Sequence, residues 1–130
     1  MTTGRIFLAI AGAAGAISVA VDAAATHLLA GDAYRLSLAA TASRYGMIHA
    51  AALLALVFLI ERGGLIERGG WWLCAAGWCF VVGLVLFCGS LDLLAAGAPQ
   101  GIVHAAPWGG TAFILGWLAV LVAAVRPKRA

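Results

Sequence analysis

Charge is what this sequence has least of: Asp, Glu, Lys and Arg supply 10% of its 130 residues, against roughly a quarter in a soluble domain. With hydrophobic residues at 65%, a water-soluble globule is excluded, because its surface would have to be apolar. No composition shift marks a second domain or a flexible linker, so the expectation is one domain over residues 1–130. The net charge of +3 comes from terminal and loop residues. It therefore bears on membrane orientation, and nucleic-acid binding is set aside. Cysteines are equally sparse. Cys74, Cys79 and Cys88 lie five and nine residues apart, neither a redox Cys-x-x-Cys nor a zinc spacing, and read as apolar packing residues. Also missing are a Gly-x-Ser-x-Gly elbow, a His-Glu-x-x-His and a phosphate loop, so an enzyme assignment would lack its nucleophile.

What the chain does have is four uncharged apolar stretches. At 1.5 Å rise per residue, roughly 20 apolar residues span the ~30 Å hydrocarbon core, where only a helix or a closed barrel satisfies its own backbone. The expected fold is all-α, an integral membrane four-helix antiparallel bundle with spans at about 6–29, 45–60, 71–92 and 107–125. A secretory signal peptide is the rival reading of the first stretch, given Arg5 and the run Ala23-Ala24-Ala25. Its apolar core slightly exceeds the usual length, which favours a retained helix.

Between the first two spans, Gly31 and Asp32 break the pattern. Residues 33–43 read as a short interfacial helix capped by Asp32. Glu61 to Gly70 reads as a loop built on a local duplication, Ile-Glu-Arg-Gly-Gly at Ile60–Gly64 and again at Ile66–Gly70. Its period of six is too short for a repeat architecture. Trp71, Trp72 and Trp108 suit the headgroup boundary, Gly97 to Ala106 reads as a turn, and Pro107 fits the first turn of the last helix. Six Lys and Arg residues (Arg5, Arg62, Arg68, Arg126, Lys128, Arg129) stand on one side against Arg35 and Arg44 on the other, which predicts both termini in the cytoplasm.

In that orientation the polar residues of the spans gather toward the outer face: Asp22 and His27 at the end of the first, Tyr45 and His49 at the start of the second, Asp92 at the end of the third. His104 joins them from the outer turn. Tyr45 and His49 share a helix face, as do Cys88 and Asp92. Intramembrane ionisable groups are expensive, so each is a functional hypothesis by default. These residues fit a structural hydrogen-bond network, a metal or cofactor site, or a proton or solute path. Gly12, Ala16, Ala20 and Ala24 follow at intervals of four, and Gly109, Gly110 and Gly116 mark the last span. Small residues let helices approach closely, so both faces are expected to pack inside the bundle or, failing that, against a partner.

The runs Arg44-Tyr45-Gly46-Met47-Ile48-His49-Ala50, Gly89-Ser90-Leu91 and Pro107-Trp108-Gly109-Gly110, with Phe113 and Gly116-Trp117, extend over nearly the whole chain. In these motifs the sequence resembles domain-of-unknown-function family 423, which includes transmembrane protein 256. The resemblance implies a four-helix inner-membrane protein of unknown biochemical function. Where the family tends to carry Gly-Ala-Phe-Gly-Ala-His, this chain has Asp22-Ala23-Ala24-Ala25-Thr26-His27; where a Tyr often follows Gly-Ser-Leu, it has Asp92. Both departures add an acid on the outer side.

The expected setting is a bacterial inner membrane, with the lipid bilayer and a larger membrane complex or a homo-oligomer as partners. The expected role is an accessory or structural subunit. The alternative is a membrane binding or transport protein that holds a metal, haem, quinone or small solute between its outer helix ends. A membrane enzyme using His49 with Asp92 as acid and base is the third reading.

Overall fold

The computed structural model describes residues 2–61 and 66–125, and the side chains of all of these except 66–69. Four helical segments are long and apolar enough to cross a membrane: Thr3–Leu28, Ala33–Glu61, Gly70–Ala95 and Gln100–Val125. No strand occurs among the described residues, and the chain is an all-α membrane helical bundle.

Helix α1 (Thr3–Leu28) starts at Thr2, whose hydroxyl accepts from the Arg5 amide at 3.4 Å. Helix α2 (Ala33–Glu61) starts at Asp32, whose carboxylate accepts from the Arg35 amide at 3.0 Å. The capping role expected of Asp32 is thus present, but the helix it opens is not a separate interfacial piece. It continues without a break through Arg44 and Tyr45 to Glu61. Nothing in 33–45 stops a helix: Ala and Leu favour it, and neither Gly nor Pro intervenes.

The third crossing is composite. Helix α3 (Ile66–Gly83) passes into a π-helical turn at Leu84–Cys88, closed by the Gly89 amide on the Leu84 carbonyl, and then into α4 (Gly89–Ala95). The loop expected at 61–70 is therefore helical at Glu61 and from Ile66 onward; residues 62–65 lie outside the described residues. Gly97, at φ +99°, terminates α4. The Gly97 amide reaches the Leu94 carbonyl and the Ala98 amide reaches that of Leu93, the paired bonds of a Schellman cap. The turn expected to reach Ala106 holds a 3₁₀ segment, Gln100–His104, and gives way to α5 (Ala105–Val125) two residues early.

Two hairpins make the bundle. Helix α1 packs along α2, α3 packs along α5, and α2 joins the hairpins by lying against α3, the π turn and α4. Rings set into glycine notches hold the seams. A side chain at Gly77 would collide with the Phe7 ring, one at Gly83 with Phe113, and one at Gly116 with Phe80. Gly109 meets main chain instead of a ring, abutting the backbone of Phe87 inside the π turn. Phe7, Leu53, Ala76 and Phe80 are fully enclosed at the centre.

Gly12, Ala16 and Ala20 behave differently from the glycines of α5. All three are exposed, and nothing approaches within 4 Å of the place a side chain would take at Gly12. The preferred expectation that this stripe packs in the bundle is corrected. Helix α1 instead buries the side bearing Gly4, Phe7, Ala11, Ser18 and Ala25, because Phe7 and the Ser18–Gly46 contact decide its rotation.

Candidate functional site

His49 is the buried polar centre of the molecule, 2% exposed. Because α2 begins at Ala33, His49 lies 16 residues from its N-terminal start and 12 from Glu61, about 24 and 18 Å along the axis. It sits at mid-depth, not at the helix end where a span beginning near Tyr45 would place it. Its imidazole stacks on Phe113 with centroids 3.6 Å apart, and the edge of Phe80 closes it at 5.1 Å. The Trp117 indole donates to His49 Nε2 at 3.2 Å, while Nδ1 lies 2.8 Å from the Tyr45 carbonyl oxygen. Indole N–H is only a donor, so Nε2 must accept and the proton must reside on Nδ1, from where it is donated to Tyr45. Both ring nitrogens are thus engaged, Nδ1 within α2 and Nε2 across the seam to α5.

A pocket of about 270 Å³ opens beside this ring, lined by Tyr45, His49, Phe87, Gly110, Phe113, Ile114 and Trp117. Its walls are nearly all aromatic. The Tyr45 ring rests on Phe87 at 5.0 Å, and Tyr45 is itself 41% exposed. A flat apolar group fits such a slot; a hydrated ion does not.

The other expected site residues lie elsewhere. Asp22 is exposed and lines a surface pocket of about 480 Å³ with Ser18, Ser43, Arg44 and Met47. His27 is exposed in the last turn of α1, where a basic group complements the helix dipole. Asp92 is half-buried on α4 and walls two further pockets, of about 370 and 440 Å³. Its Oδ1 is shielded and makes no hydrogen bond. The structure thus joins Tyr45 to His49 and leaves Asp22, His27 and Asp92 in separate surroundings. No group of three His, Cys, Asp or Glu side chains suited to a metal ion occurs among the described residues.

The sequence profile described as protein of unknown function (DUF423) matches residues 21–110, a stretch that includes α2, the π turn and the Gly109 contact. The chain belongs to the DUF423 family. It is 32% identical to the membrane protein YwdK of Bacillus subtilis over 94% of this chain and 98% of that one. It is 33% identical to the inner membrane protein YgdD of Escherichia coli K12 over 98% and 95%. A Haemophilus influenzae membrane protein is also 33% identical, over 94% and 95%. No solved structure matches. This DUF423 protein is accordingly a small multi-pass membrane protein of an uncharacterised family.

Trp117, Phe113 and Phe80 are the residues of the His49 site that sequence reading did not single out for it. One signal for Trp117 was available. An indole N–H inside an uncharged span needs an acceptor, and His49 offers one if α2 is extended back to Ala33. In this DUF423 chain Arg35 was likewise placed only as a charge; its Nε donates to the Ala95 carbonyl at 2.6 Å, pinning the start of α2 to the end of α4.

Proposed function

We propose that this chain is a small accessory or structural subunit of the bacterial inner membrane, docking to a transmembrane helix of a larger complex through the outward face of α1. One observation carries the reading. That face presents Ala9, Gly12, Ala16 and Ala20, all exposed, in a strip flanked by Leu8, Ile17 and Val19, whereas α5 turns out Trp108, Ile114, Leu115, Leu118 and Leu121, and α2 turns out Ile48, Leu54 and Phe58. In lipid, where apolar area does not itself drive association, close backbone approach over small residues is what brings helices together. The satisfied state of His49 supports the same view, since a ring committed at both nitrogens serves packing. Replacing Ala16 by Leu is expected to leave the fold intact and to remove the larger assembly on mild extraction, read by blue-native electrophoresis against wild type. A wild-type chain that migrates alone, or an Ala16→Leu chain that keeps its partner, would sink the reading; a partner that proves to be a second copy would make it a homo-oligomer.

The Lys and Arg distribution supports an orientation with both termini in the cytoplasm. A periplasm-active reporter fused after Ala130 is expected to stay inactive while a cytoplasm-active one works, and the opposite pattern would reverse the topology.

A further inference from the structure

Helix α1 meets the third crossing closely only at its inner end, where Phe7 fills the notch at Gly77. Toward the outer end the two separate, and two pockets open in line between them. The deeper, about 370 Å³, is walled by Ile10, Ala13, Ile17, Val81, Leu84 and Val85, with Cys88 and Asp92 at its top. The outer, about 440 Å³, is walled by Val21, Ala24, Leu28, Arg35, Ala39 and Asp92. Asp92 is common to both.

The depth of this cleft matches one leaflet. Asp92 lies three residues from the end of α4 and Arg35 two from the start of α2, each within a turn of the outer interface. From Asp92 down to Val81 is 11 residues, about 16 Å and so about half of the hydrocarbon core. The polar groups are complementary and incomplete. Asp92 walls both pockets; its Oδ1 is closed off without a donor, so a group in the cleft meets the carboxylate through its other oxygen. Arg35 uses Nε on Ala95, and among the described residues its terminal nitrogens make no hydrogen bond, leaving donors of its five-donor fork for an anion.

We propose that this cleft seats one zwitterionic amino-phospholipid of the leaflet that holds Asp92, with its ammonium on Asp92, its phosphate on Arg35 and an acyl chain along Ile17, Val81 and Leu84. An ammonium in the cleft supplies the Asp92 carboxylate with N–H donors as well as charge. A choline headgroup carries the same charge but has no N–H to give, and a glycerol headgroup has no cation. The proposal does not rest on the subunit reading, because its lining side chains, Ile10, Ile17 and Asp92 among them, are not those of the docking face.

The test uses the full chain reconstituted in vesicles of equal parts phosphatidylethanolamine, phosphatidylcholine and phosphatidylglycerol, gently re-extracted, with retained lipid read by native mass spectrometry. The expected result is one retained phosphatidylethanolamine, reduced about tenfold by Asp92→Asn and also reduced by Arg35→Gln. Equal retention of the ethanolamine and choline lipids by the wild-type chain would overturn the proposal, even if neither variant folded. Wild-type-like retention by a folded Asp92→Asn chain would overturn it too, as would a wild-type chain free of lipid, which would leave water as the donor to Asp92.

Discussion

Gly109→Leu is expected to prevent folding, and Gly109→Ala to lower stability by about 1–3 kcal/mol, the range for forcing atoms into a packed core. The first atom beyond Cα at this position runs into the nitrogen, Cα and Cβ of Phe87. Those are backbone and near-backbone atoms of the π turn, so no rotamer change relieves the contact. Two helices must move apart, and with them Phe113, whose ring occupies the notch at Gly83 one helical turn away. Gly12→Ala is the matched control, with open space around the new methyl and a change expected within about 0.5 kcal/mol. Thermal unfolding in detergent, followed by circular dichroism, compares the two directly. Equal loss in both would mean that glycine matters here for its backbone freedom; loss confined to Gly109 locates its value in the approach of α5 to the π turn.

That contrast also marks how far the sequence could be read. Gly12 and Gly109 look alike in it: each belongs to a small-residue pattern inside an apolar helix. Which one faces a neighbour depends on helix rotation, and the hydrophobic pattern that fixes rotation in water is absent when lipid-facing and core-facing residues are equally apolar. The number of spans was legible because it follows from hydropathy and length alone, and the Asp32 cap because its chemistry is local. The start of α2 was not, since Arg44 reads as the edge of a hydrophobic window although Ala33–Ser43 continues the helix. That misplacement carried His49 from the bilayer middle to its outer edge, and with it the expectation of a polar cluster there. The π turn left no trace because Leu84–Cys88 contains neither Gly nor Pro; its geometry answers to Gly109 across the seam.

His49→Ala is expected to cost about 3 kcal/mol or more, and His49→Phe only about 1 kcal/mol. The first removes a fully enclosed ring from between Phe113 and Phe80, leaving a cavity and an indole N–H without its acceptor. The second keeps a ring in the stack and loses chiefly the bond from Trp117, a class of interaction that averages about 0.6 kcal/mol in a membrane interior. Trp117→Phe alone should cost a similar amount by stranding His49 Nε2. The informative variant is the double one, His49→Phe with Trp117→Phe. If the pair exists to lock α2 to α5, removing both partners leaves no orphaned polar group, and the double variant should be more stable than the sum of the single changes predicts. Nitrogen-15 spectra of the wild-type imidazole should show the Nδ1–H tautomer that the indole donor requires. An Nε2–H tautomer, or strict additivity in the cycle, would detach His49 from Trp117. A double variant that folds well yet fails to complement a deletion strain that the wild type restores would place at His49 a chemical task that packing does not explain, since the stack with Phe113 would still be intact.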